Sequence, residues 1–200
     1  MTDVHPTTPA GSRARYFDQA LRDLYETMPH EYKAELVDGE LHLMSPSGEQ
    51  PGRAATAILI SLRAHERPPT GVAARGRAYG DNVGYRVDLP NRESFSPDAS
   101  WYTGSWRGMG YIEGKPEFAV EVRSEWDYGR RMEEKMARKR ADYFAAGTRV
   151  VWDVDLLGDD TVRAYRADAP EAPAVFRRGD TADAEPAVPG WRFPVDELFA

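Results

Sequence analysis

The stretch from residue 117 to residue 155 constrains the fold more than any other. Residues 117–124 alternate, with Phe118, Val120 and Val122 on one side and Ala119, Glu121 and Arg123 on the other. That is the two-residue period of a strand. From residue 127 to residue 146 no proline interrupts the chain, and Gly147 stands where a helix would stop. Residues 149–155 are again rich in valine, with Trp152 among them. Strand, helix and strand in that order predict a βαβ crossover with its two strands parallel. Apolar-rich strands of this kind belong in the middle of a sheet.

Three residues in or near this unit carry chemistry. Glu121 lies on the strand face opposite Phe118, Val120 and Val122, either solvated or turned into a site. Asp98 follows Pro97 at the start of a short strand, residues 98–102. Pro97 fixes its own φ and biases Ser96 towards extended geometry, although Asp after Pro also suits an ordinary turn. At about 100° per residue, Lys139 falls within about 20° of Met132 and close to Met136 and Tyr143, inside the apolar stripe. Arg131, Arg138 and Asp142 fall well off it. A lysine in a core-facing stripe either snorkels out or pairs with buried carboxylates. Two acids and a lysine converging on one spot suggest a metal-dependent site for cutting a phosphodiester.

The rest of the chain narrows the class. Its 200 residues suggest a poorly ordered tail over 1–14 and one domain over 15–200. There is no apolar run long enough for a membrane span and no signal-peptide pattern, so a cytoplasmic protein is expected. No cysteine is present, which excludes disulfides and zinc–thiolate sites. His5, His30, His42 and His65 show no ligand spacing, so any metal is expected on oxygen ligands. An amphipathic helix is predicted over 16–28, and a hairpin over 34–44 turning at Asp38-Gly39. A loop over 45–52 and a helix over 54–64 follow. Strands are predicted over 72–79 and 83–87, with a polar loop over 88–96. Residues 103–116 form a glycine-rich connection. Two strands come near 162–166 and 174–178, and a proline-rich tail closes the chain.

Ser96-Pro97-Asp98, Glu121-Val122-Arg123-Ser124, the run from Lys139 to Gly147 and Trp152-Asp153-Val154-Asp155 resemble the Uma-type family of putative restriction endonucleases. That family lies within the PD-(D/E)xK nuclease superfamily. The hairpin around Asp38-Gly39, Pro189-Gly190-Trp191 and Leu198-Phe199 extend the resemblance over nearly all of the chain beyond residue 30. It implies an α/β, restriction-endonuclease-like fold: a mixed central sheet flanked by helices, with an N-terminal β-hairpin. It implies a metal-dependent endonuclease acting on nucleic acid, with DNA the expected substrate. Asp98 and Glu121 would hold Mg²⁺ or Mn²⁺, with the Val122 carbonyl as a further ligand. Lys139 would orient or deprotonate water, and Glu35 is a further candidate catalytic residue. Asp127 is expected to cap the helix. One departure matters. The superfamily's lysine two residues after the strand glutamate is Arg123 here, and the resemblance hands its role to Lys139. A catalytically inactive module that binds nucleic acid or a protein partner is therefore the alternative.

Charge bears on both readings. The net charge is −7, wrong for a chain that binds nucleic acid over its whole surface. Residues 123–140 nevertheless hold seven basic and four acidic residues. Arg123, Arg131, Lys135 and Arg138 are the expected nucleic-acid contacts, and a homodimer would double the stripe.

Overall fold

A computed structural model of the chain describes residues 19, 23, 33–66, 75–105 and 108–200. The helix expected over 16–28, residues 19 and 23 apart, and residues 72–74 of the strand expected over 72–79 lie outside those residues; the rest of that strand falls on residues 77–80.

The hairpin forms as expected. β1 (Lys33–Val37) pairs antiparallel with β2 (Glu40–Met44), Val37 opposite Glu40. Asp38 and Gly39 take φ of 51° and 77°, and two positive φ values in a row make the turn whose twist matches its strands.

α1 (Glu49–Glu66) begins earlier than the expected loop over 45–52 allows. Pro51 sits in the first turn, where an amide has no partner within the helix, so it does not delay the start. β3 (Arg77–Gly80), β4 (Tyr85–Arg86), β5 (Ser94–Phe95), β6 (Ala99–Tyr102) and β7 (Ile112–Glu113) follow. The βαβ unit is β8 (Phe118–Val122), α2 (Arg130–Ala145) and β9 (Val150–Asp155), with β8 and β9 parallel. Gly147 ends α2 at φ 97°, with its amide on Phe144 O and the Thr148 amide on Tyr143 O. These two bonds cap the last carbonyls of the helix. Asp127 does not cap α2, whose N-cap is Gly129. Its carboxylate instead accepts bonds from the amide and hydroxyl of Ser124.

β10 (Thr161–Arg166), β11 (Ala169–Arg177), β12 (Thr181–Asp183), β13 (Arg192–Pro194) and a 3₁₀ turn (Val195–Leu198) complete the chain. The central sheet runs β11-β10-β9-β8-β6-β3, and only its β8–β9 pair is parallel. This is the mixed α/β sheet the resemblance implied. β11 starts before the expected residue 174 because Pro170 and Pro173 are tolerated on an edge strand.

The alternation in β8 sorts the two faces. Phe118, Val120 and Val122 join Ile58 and Leu62 of α1, Trp152, Trp191 and Phe193 in one core. Ala119 turns the other way, into a smaller cluster with Tyr85, Phe95, Tyr143 and Val151. Glu121 and Arg123 share that second face, under α2. Among the described residues no helix is long and apolar enough to cross a membrane.

Candidate active site

Four elements meet on the α2 side of the sheet and deliver five charged groups, two of them from β1. β1 alternates, so Lys33 and Glu35 leave the same side of the hairpin. Asp98 stands just before β6, Glu121 near the end of β8, and Lys139 faces them from the third turn of α2. The Lys139 ammonium lies 2.7 Å from Glu121 Oε2 and 2.9 Å from Glu35 Oε1. It is therefore the paired lysine, not the snorkelling one. Tyr143, one turn further along α2, donates to Glu121 Oε1 at 2.7 Å. Its ring is fully buried and stacks on Phe95 with centroids 4.0 Å apart.

Asp98 is fixed by backbone. Its amide donates to Val120 O at 3.0 Å, and its Oδ2 accepts from the Val122 amide at 2.7 Å. The strand pairing of β6 and β8 thus sets where the carboxylate points. The other oxygen, Oδ1, meets Lys33 Nζ at 2.8 Å, and Lys33 also reaches Asp81 at 2.7 Å. Val122 lines the same cleft, but the group it offers Asp98 is its amide.

Behind Glu35 stands a second layer. Arg92 bonds Glu35 at 2.7 Å and Asp142 at 2.8 Å, Asn91 holds the other Asp142 oxygen, and the Ser96 amide donates to Glu35. Asp142, expected off the buried stripe, is buried because the segment carrying Asn91 and Arg92 folds over it. That packing is tertiary, so a helical wheel cannot show it. Lys33 could have been picked out two residues before Glu35, and Tyr143 four after Lys139. Arg92 carried no local signal.

The charges do not cancel. One network joins Lys33 to Asp81 and Asp98, and another joins Arg92 and Lys139 to Glu35, Glu121 and Asp142. Each carries one more carboxylate than cations. The consequences appear in the pKa values. Burial, together with the charges of Asp98 and Glu35, pushes Glu121 above the usual carboxylate range despite Lys139. Burial would also raise Glu35, but Lys139 and Arg92 outweigh it and hold that carboxyl down at about 2. Burial would lower Lys139, but Glu121 and Glu35 keep it above its ordinary value. Lys33 is raised likewise by Asp98 and Glu121.

Asp98, Glu121, Lys33 and Lys139 all line one open cleft of about 850 Å³, between the hairpin, the ends of β8 and β9, and α2. The expected cationic contacts divide. Lys135 is exposed and lines the cleft. Arg131 and Arg138 are exposed on α2 but outside the lining. Arg123 lines the cleft too, but as a buried group. Its guanidinium is buried, bonded twice to Asp153 at 2.7 and 2.8 Å and gripped by Glu133. Asp153 lies directly opposite Glu121 on β9, so Arg123 ties the two parallel strands to α2. Its charge is spent inside the protein and is not presented to a ligand.

The sequence profile of the Uma2 family, described as "Putative restriction endonuclease", matches residues 18–196. The chain belongs to the Uma2 family. No curated protein matches it. The Uma2 chain is also similar in fold to a solved structure from Anabaena variabilis, titled a "putative nuclease belonging to DUF820". The TM-score is 0.66 at 18% identity, over 88% of this chain and 96% of that one. All three acids and the lysine that the Uma-type resemblance singled out lie within the matched residues.

Proposed function

We propose that this Uma2 chain is a divalent-metal-dependent endonuclease that hydrolyses phosphodiester bonds of nucleic acid, DNA in the first instance. The observation that supports it most is the convergence of Asp98, Glu121 and Lys139 on one cleft whose networks keep two uncompensated negative charges. The donors suit a small hard cation. Among the described residues no three acidic or histidine side chains form a closed cage. Mg²⁺ does not need one: it takes one or two carboxylates and completes its shell with water and substrate oxygens. Asp98 and Glu121 would hold it. Such an ion supplies a polarised water and charge neutralisation at the phosphate.

The chain's own residues do the rest. Tyr143 and the Val122 amide fix one oxygen each of Glu121 and Asp98, leaving the other oxygens towards Lys139 and Lys33. Lys139 is cationic well above neutral pH, so its role is to donate hydrogen bonds to water and to the charge that develops on phosphate. Glu35, held ionised by Arg92 and the Ser96 amide, anchors the Lys139 ammonium opposite Glu121. Arg123 lines the cleft with its guanidinium already bonded to Asp153 and Glu133, so we give Lys139 the part of the lysine the superfamily places on the strand.

The test is cleavage of plasmid, single-stranded DNA and RNA with Mn²⁺ and with Mg²⁺, beside calorimetric metal titration. Asp98→Asn and Glu121→Gln should each abolish cleavage and weaken the metal heat while the protein stays folded. Identical metal titrations in wild type and both variants would sink the shared site. The buried Arg123 favours one second reading, an inactive module that binds nucleic acid. Binding without cleavage, and without any metal heat, would establish it.

A further inference from the structure

The rim of the cleft carries two large apolar side chains in water. Trp126 is 82% exposed and Leu157 65%, and both line the same cavity as Asp98, Glu121 and Lys139. One exposed apolar side chain is ordinary, but two large ones lining one charged cleft are a candidate contact surface.

The segments that bear them are held in place. Ser124 donates from its amide and its hydroxyl to Asp127, at 2.9 and 2.6 Å, and the Asp127 amide returns a bond to Ser124 O. Trp126 sits inside that closed turn. Next to it, the Tyr128 ring lies beneath the Arg123 guanidinium, and its hydroxyl donates to Asp155 at 2.8 Å. The same hydroxyl accepts the Leu157 amide at 3.2 Å. Two loops are thus cross-tied to each other and to β9, and an indole is presented from a fixed backbone. Little ordering remains to oppose binding there.

We infer that Trp126, with Leu157 beside it, is a stacking platform for an unpaired base of the nucleic acid whose backbone lies at Glu121 and Lys139. This rests on the nuclease reading. Base faces are covered in a duplex and free in a single strand or at an extruded nucleotide. An indole beside a phosphate-handling site fits a free face, since stacking on an aromatic ring accepts any base. A second protein surface could also cover an apolar rim. The nucleic acid is favoured because Trp126 and Leu157 line the same cavity as the reactive carboxylates, together with the exposed cation Lys135.

The experiment is fluorescence anisotropy in EDTA, so that nothing is cut, with labelled oligothymidine and a blunt DNA duplex as probes. Trp126→Ala should weaken oligothymidine binding by roughly 5- to 150-fold, the range of one base stacked on one ring. Trp126→Phe should keep most of the affinity, and duplex affinity should be unchanged. An oligothymidine made abasic at successive positions should lose affinity at one position in wild type and lose nothing further there in Trp126→Ala. Equal binding by wild type and Trp126→Ala, or equal losses on single strand and duplex, overturns the platform. If such a wild type still cleaves DNA with Mn²⁺, the nuclease reading stands without it. A dimer in sedimentation that Trp126→Ala dissolves assigns the rim to a second copy and also overturns it. A wild type that neither binds nor cleaves any nucleic acid overturns both.

Discussion

Replacing Lys139 by methionine separates its electrostatic role from its packing, because methionine keeps most of the apolar stem. The ammonium it removes lies between Glu121 and Glu35, and all three side chains are at least 80% buried. Breaking a buried pair from one side typically costs about 3–5 kcal/mol. Glu35 retains Arg92 and the Ser96 amide, so the loss falls on Glu121. That loss has a ceiling, since an unpaired carboxylate can always take up a proton. From an ordinary glutamate pKa of about 4.3, protonation costs about 3.7 kcal/mol at pH 7 and about 1 kcal/mol at pH 5. The sign follows. Burial, Asp98 and Glu35 already raise Glu121, and removing Lys139 raises it further above its unfolded value. Relative to wild type, the variant's deficit is therefore absent below the wild type's own raised Glu121 pKa, grows as pH rises above it, and levels off once pH passes the variant's still higher pKa. Because wild-type Glu121 is itself raised, the difference from wild type stays below that ceiling; we expect a deficit that is clear at pH 7 and shrinks at pH 6 and 5, measured by urea unfolding in EDTA. Adding Glu121→Gln should recover most of it. A variant as stable as wild type at pH 7 would mean that the ammonium is worth nothing there. A deficit independent of pH would mean that only packing was lost.

Three further outcomes follow from the same geometry. Arg123→Ala leaves Asp153 with only Arg140 at 3.4 Å, so it should cost less than the about 3–5 kcal/mol of a fully stranded buried charge, and Arg123→Ala with Asp153→Ala less again, as read by denaturant midpoints. Lys33→Met should tighten Mn²⁺ binding by roughly tenfold or more, since a unit charge close to a partly exposed site is worth a few kcal/mol. Calorimetry showing weaker binding would instead make Lys33 a support of the ion. Arg131→Ala and Arg138→Ala should each flatten the dependence of log affinity on log salt by up to about 0.9. An unchanged slope in anisotropy titrations would leave them as solvated surface.

How much of this could be read from the chain depends on whether the determining contact is local. The βαβ unit, the Asp38-Gly39 hairpin and the Gly147 stop are set by periodicity and turn chemistry within a few residues. Lys139 was visible because a charge broke an apolar stripe. β5, β7, β12 and β13 are two or three residues long, too short for any period to register. Prolines hid β11. Asp127 had the composition of a cap but is used by Ser124. Arg92 and the burial of Asp142 depend on a loop packing across a helix some 50 positions away, which no window of sequence contains. Arg123 looked like a free cation because its partner, Asp153, lies across a crossover on the next strand.

The order of the charged groups along the chain has a consequence for synthesis. Glu35, Asp98 and Glu121 leave the ribosome before Lys139, and β9, against which α2 packs, follows later still. A copy stopped before α2 would carry these acids without the ammonium that sits between Glu121 and Glu35 and without the strand that α2 packs on. The last charged group of the site to be made is thus the cation that sits between the two glutamates.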